Sequence, residues 1–401
     1  MKRDRISTIS RQSAGRGPDK SRPFSAAELA DRLDRVRAVM SQKALDACLV
    51  FSPENIYYLT GLDHYGFFSP HVLIVPLKEE MQLVLRAMEE ATFRAQIENA
   101  GFHGHSDGET PAEKAAQVIK KMGLAGARVG IEKHALFTPI GLWETLAREL
   151  PGVAWEDASN LIDRLRMIKS LSEQEYIRQA SRISGAMMQA ACDTAREGVS
   201  EAEIAAEVLR AMVLAGGEPP GFGPFIRATP SMPQEHVTWG NYPLQHTDML
   251  FVELSGCCRR YHAPMGRLFF IGDLPEGTEK IARVCEDAFD AVVATIKPGI
   301  TADDAYQAWQ TVVDRAGLTH YRRHHCGYMV GVGFPPSWVG GSGVLSLRCD
   351  SSQVLAAGMS FHMLSWLVGT GIGDYLITDT VILTEEGGKA LRRFPVTPQV
   401  L

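Results

Sequence analysis

The sequence predicts an α/β N-terminal domain followed by an α+β C-terminal domain. Three observations carry this. Strand-like and helix-like patterns alternate regularly over residues 24–162. Near Ile162 the composition changes and a long amphipathic helical pattern begins. Beyond it, two strand-like apolar runs around residues 249–270 are followed by two capped helical patterns and then by more strands. The length of 401 residues, 45% of them hydrophobic, is enough for two ordinary domains.

The elements follow in order. Residues 1–23 are basic and polar, contain Asp4 and Asp19, and have no apolar segment, so they read as a flexible arm and not as a secretory signal. Residues 24–47 read as a helix, with Ser25 and Glu28 as a capping box and Leu29, Leu33, Val36 and Met40 on one face. ACLVF reads as a buried strand; SPENIYYLTGLDHYGFFSPHVLIVP reads as turn, strand, aromatic loop and strand. Strands are expected at 81–85 and at RVGIEKH, and a helix at 138–149, stopped by Pro151–Gly152. The C-terminal domain is taken as residues 163–401. Its first helix is expected to open on a capping box of Ser172 and Glu175; EAEIAAEVLRAMVLAGG, EGTEKIARVCEDAFDAVVATIKPG and TADDAYQAWQTVVDRAG are further helices, the last capped by Thr301 with Asp304.

Composition excludes several functions. The net charge of −6 and the pI near 6.1 do not fit a general nucleic-acid binder. No apolar run approaches the roughly 20 residues of a membrane span. The seven cysteines form no CxxC pair and sit mostly in apolar contexts, as reduced packing thiols of a cytoplasmic protein do. Cys326, beside His325, is the one thiol worth weighing as a nucleophile.

The chemistry concentrates in residues 235–272. MLFVELSG reads as a buried strand with a carboxylate, Glu253, at its middle. Buried carboxylates are rare unless paired or functional. Arg259, Arg260 and Arg267 are candidate ion-pair partners. Alternatively Glu253 works with His236, on the preceding segment, and with Tyr261 and His262 on the next strand, as an acid–base constellation.

This stretch resembles the creatinase/prolidase/methionine-aminopeptidase superfamily, the pita-bread fold. The metallopeptidase pattern D-x-G…Y-x-x-D-x-x-R is met here by Glu253, Ser255, Tyr261, Pro264 and Arg267. Arg166, Lys169, Ser170 and Glu173 match the R-x-x-K-S-x-x-E that opens the family's C-terminal domain. The resemblance implies a pita-bread C-terminal catalytic domain. It also implies that the positions of the five metal ligands fall on Glu253, Pro264, Tyr328, Leu364 and about Thr378. Pro and Leu offer no ligand atom, so no metal and no other cofactor is expected.

Within the superfamily, HVTW, VELSGCCRRYHAP, GYMVGVGFPPSW and GMSFHM are most similar to the metal-free ectoine hydrolases. That likeness implies hydrolysis of a C–N bond in a small zwitterionic amidine or amide, with Glu253 as nucleophile. His236 is the best match to the acid–base histidine of creatinase, by its spacing to Asp248. Tyr328, Asp63, Tyr65, Phe67, Phe68, Trp239, Tyr261, His262, Trp338 and His362 are the candidate substrate-binding residues. The aromatic loop after Gly61 implies a homodimer in which it reaches the partner's site. The competing readings are a creatinase-like or Xaa-Pro-peptidase-like enzyme, and a non-catalytic binding module of the same fold.

Overall fold

The computed structural model describes residues 22–340 and 344–401; all but Arg22 and Pro23 of the N-terminal arm lies outside the described residues. The chain opens with α1 (Ala26–Gln42), β1 (Ala47–Val50), α2 (Pro53–Thr60), β2 (Val72–Pro76), β3 (Met81–Arg86) and α3 (Glu90–Gln96). Then come β4 (Ala100–His105), α4 (Pro111–Lys121), β5 (Arg128–Ile131), α5 (Ile140–Glu149), β6 (Ala154–Asp157) and α6 (Leu161–Arg166). The six strands form one mixed sheet in the order β4-β3-β2-β1-β5-β6. β1, β2 and β3 are buried almost throughout, because helices cover both sides of the sheet.

The second unit begins with α7 (Leu171–Thr194) and α8 (Glu201–Leu214), followed by β7 (Phe225–Ala228), β8 (Met249–Cys258) and β9 (Tyr261–Phe270). After α9 (Thr278–Thr295) and α10 (Ala302–Arg315) come β10 (Gly327–Met329), β11 (Ser360–Leu367), β12 (Tyr375–Thr384), β13 (Gly387–Ala390) and β14 (Gln399–Val400). The main path of this sheet is β10-β11-β12-β9-β8-β7. Alternation along β8 divides its side chains between two cores. Leu250, Val252 and Leu254 join Met187 and Ile204 of α7 and α8. Phe251 joins Phe289 and Trp309 of α9 and α10. Glu253 therefore shares the Phe251 face.

Two local expectations are corrected. Residues 53–60 are a helix, not a strand. Ser52 is its N-cap, Pro53 fills the first turn where no N–H is needed, and Gly61 closes it at φ 78°. The aromatic and β-branched residues that mimic a strand are all buried, so burial all round replaces amphipathic periodicity. The capping box of α7 is Ser170 with Glu173, two residues before the expected pair. At α1, Ser25 accepts from the Glu28 N–H, but the Glu28 carboxylate turns to Arg32 and the Ser170 hydroxyl, so the box is only half made. The Thr301–Asp304 box at α10 is complete.

The two units are tied by charged and aromatic contacts. Arg32 of α1 reaches Glu173 of α7 at 3.4 Å, and Glu173 accepts from the Tyr261 hydroxyl at 2.7 Å. Arg260, in the β8–β9 turn, bonds Asp63 at 2.6 Å and the Tyr65 hydroxyl at 2.7 Å. No helix among the described residues is long and apolar enough to cross a membrane.

Candidate functional site

Strand register builds the site. Leu364 pairs with Thr378, Thr378 with Gly266, Gly266 with Glu253 and Glu253 with Phe225. Directly opposed residues share a face, so these five form one row across β11, β12, β9, β8 and β7. Pro264 lies diagonal to Glu253 on the same face, and Tyr328 pairs with His362 at the end of the neighbouring row. Gly266 leaves the row open: a Cβ there would stand 2.8 Å from Thr378 Oγ1 and 3.6 Å from Glu253 Cβ.

Glu253 looks into a cavity of about 230 Å³. Phe222, Phe225 and Trp338 supply aromatic walls, both phenylalanines packing edge-on to Trp338. His236, His325 and Tyr328 supply the polar lining. Burial pushes the Glu253 carboxyl up to about 7, although Arg227 and Arg323 pull it back. Among the described residues, Glu253 forms no ion pair with Arg259, Arg260 or Arg267. Arg260 is taken by Asp63, and Arg267 holds Asp379 at 3.0 Å with carbonyls of Thr378 and Pro395 around it. Among the described residues, the only imidazole or cation within 4.0 Å of the Glu253 carboxylate is His362, at 3.7 Å. Burial holds His362 neutral by drawing its value down to about 3, so that contact carries no charge pair.

Behind the carboxylate runs a hydrogen-bonded chain. Trp338 Nε1 donates to the Tyr328 hydroxyl at 3.1 Å. The same hydroxyl lies 2.8 Å from His362 Nδ1, and His362 Nε2 lies 2.6 Å from Thr378 Oγ1. Burial and the Glu253 charge raise the Tyr328 phenol well above its ordinary range, so it stays protonated. His236 stands on an exposed stretch between β7 and β8, with its ring centroid 6.1 Å from that of Phe225 in an edge-on arrangement. Its φ of 55° is unusual for a residue with a side chain. Outliers of this kind concentrate at functional sites.

The other candidates fall elsewhere. Tyr261 is sealed beneath Phe24 and Tyr176 and bonded to Glu173. His262 is buried, and its Nε2 accepts from the Gly221 N–H at 2.9 Å, which anchors the loop carrying Phe222. Asp63 and Tyr65 serve Arg260, and Phe67 packs between Phe137 and Phe334. Phe68 is 77% exposed and Trp239 37% exposed, the latter lying over Gly223. None of these seven residues borders the cavity. Cys326 is buried, which pushes its thiol up to about 12 and removes it as a nucleophile at neutral pH. His325, Phe222 and Phe225 line the cavity without having been singled out in the sequence. The adjacent His-His pair three residues before Tyr328 was the available signal.

The five positions implied as metal ligands do converge on one face. They supply one carboxylate, two hydroxyls and two side chains without a donor, which does not fit a dinuclear centre of hard cations. Among the described residues, the one group of three ligating side chains with donors within 4.8 Å of each other is Asp303, Cys349 and Asp350, outside the cavity.

Comparison with known proteins agrees with this architecture. The model of metallopeptidase family M24 matches residues 175–385, over half of the chain, and that of the creatinase/prolidase N-terminal domain matches residues 32–168. An uncharacterized hydrolase/peptidase of Sinorhizobium fredii is 28% identical, over 93% of this chain and 97% of its own length. Ectoine hydrolase of Halomonas elongata is 27% identical, over 94% and 98%. The solved prolidase of Thermococcus sibiricus superposes with a TM-score of 0.82 at 20% identity, covering 94% of this chain and all of that one, and so shows the pita-bread fold.

Proposed function

This chain belongs to metallopeptidase family M24, and from that premise we propose that it is a metal-independent hydrolase of C–N bonds in a small amidine or amide zwitterion, ectoine-like in its chemistry. The observation that carries the reading is Glu253: a largely buried carboxylate without a cationic partner among the described residues, aimed into an aromatic cavity that His236 also lines. Such a site attracts a planar cation, through the carboxylate and through the faces of Phe222, Phe225 and Trp338. An arriving amidinium also favours ionisation of Glu253.

A Glu253 oxygen then forms a bond to the amidinium carbon, whose C=N electrons move to nitrogen. The opposite C–N bond breaks as its nitrogen takes a proton from the acid–base group, His236. Water, deprotonated by the same imidazole, releases the carboxylate and leaves an amide. The net change is amidinium plus water to amide plus ammonium. Tyr328 is placed by His362 and Trp338 to hydrogen-bond the developing charge. The working unit in this reading is a homodimer, with the exposed Phe68 available to a second copy.

The test is direct. Incubation with a cyclic amidine carboxylate such as ectoine should yield the ring-opened acetamide by NMR, unaffected by chelator, in protein without stoichiometric metal. Two manganese, cobalt or zinc ions per chain, with chelator-sensitive cleavage of Xaa-Pro dipeptides, would establish the peptidase reading instead.

A further inference from the structure

The cavity holds a second imidazole that the mechanism above does not use. His325 lines the wall beside Tyr328, with ring centroids 5.5 Å apart and planes at 82°. Its Nδ1 is sealed from solvent with no hydrogen-bond partner, and neither ring nitrogen bonds a protein group among the described residues. The fully buried histidines of this region are engaged: His362 by Tyr328 and Thr378, His262 by Gly221. An unpartnered imidazole in a cavity wall is a group whose partner arrives with the ligand.

Its protonation state says which kind of partner. Burial, with His324 and Arg323 adding to it, draws His325 down to about 4, so the ring is neutral at pH 7. A neutral imidazole carries one acceptor nitrogen, and a ligand N–H arriving at Nε2 selects the tautomer in which Nε2 accepts. The cavity then offers one anionic acceptor, Glu253, and one neutral acceptor. No lysine or arginine among the described residues is in its lining.

Resting on the amidine reading, we infer that His325 is a specificity-determining residue that accepts a hydrogen bond from an N–H of the substrate's amidinium while Glu253 faces the amidinium carbon. The pair selects a planar cation with N–H donors over an equally charged one without them.

Two probes separate this from general packing: 2-methyl-1,4,5,6-tetrahydropyrimidinium and its N,N′-dimethyl analogue, which has the same charge and no N–H. Calorimetric titration of the wild type and of His325→Phe should show the N–H probe weakened roughly ten- to hundredfold in the variant, with the dimethyl probe unchanged. His325→Gln, which restores an acceptor, should recover most of the loss, and circular dichroism melts show whether either variant is folded. Equal weakening of both probes, unchanged affinity for the N–H probe in folded His325→Phe, or no recovery in folded His325→Gln overturns the inference alone. Failure of the wild type to bind either probe overturns the amidine reading, and the inference with it.

Discussion

Glu132 is buried and Glu253 largely so, and both carboxyls are pushed up to about 7, first of all by desolvation. Their surroundings are opposite. Glu132, just past β5, accepts from the backbone N–H groups of Phe51 and Ser52 at 2.8 and 3.0 Å, from the Ser52 hydroxyl at 3.2 Å and from Asn55 at 2.5 Å. It thereby joins the end of β1 to the first turn of α2, where a carboxylate also meets the positive end of the helix. Glu253 has no such donors among the described residues and has open space in front of it. A raised value alone does not separate a structural carboxylate from a functional one. Saturation by hydrogen bonds does.

The contrast can be broken most severely by activity. Glu253→Gln should lose about 10³-fold or more in kcat for ring opening while remaining folded and able to bind. Near-wild-type turnover would make Glu253 another Glu132. His236→Ala should lose about 10²-fold or more, the range of proton transfer, and the loss should be shared between kcat and kcat/KM. Glu132→Ala should do the reverse. It strips acceptors from buried N–H groups and should cost about 3 kcal/mol in urea unfolding, with kcat unchanged in the folded fraction. A variant as stable as wild type would show the α2 junction to be indifferent to its carboxylate.

The finest test is pH. Both carboxyls have folded values near 7, above their ordinary 4.5, so each favours the folded state most fully below pH 4.5. That contribution is lost as pH rises through 7. Glu253→Gln, uncharged throughout, should flatten the fall in unfolding free energy between pH 4.5 and 7 by about 1 kcal/mol or more. Identical slopes in variant and wild type would mean that Glu253 is not held protonated by folding.

Much of this architecture was legible because hydrophobic period and capping chemistry are local. The strands 47–50, 81–86 and 249–258 and the helices α8, α9 and α10 follow from them. Helix α2 was not, because Ile56, Tyr57 and Tyr58 imitate a strand when every side of a helix is buried. At α7, Ser-x-x-Glu occurs twice in overlapping frames, and only packing on Arg32 selects Ser170 with Glu173. In the site, Glu253, His236, Tyr328 and Trp338 border one cavity, with His362 behind it. Tyr261, His262, Asp63 and Tyr65 are polar residues of the expected site that are spent on Glu173, Gly221 and Arg260. Which partner claims a polar group depends on long-range register, and a single sequence does not display it. His325 went unnoticed for the converse reason: what sets it apart is that it has no hydrogen-bond partner among the described residues.

The stretch that carries His236 differs mechanically from everything around it. Residues 235–239 make no backbone hydrogen bond to another described residue, whereas Gly240 is pinned by Glu201 and the two units are fastened through Arg32 and Arg260. The free energy needed to lift this short segment is therefore far below that of parting the units. Amide exchange should be fastest there among the residues near the cavity. The dwell time of a bound molecule would then be governed by the same few residues that present the imidazole, so changes at 235–239 can alter release without touching the chemistry.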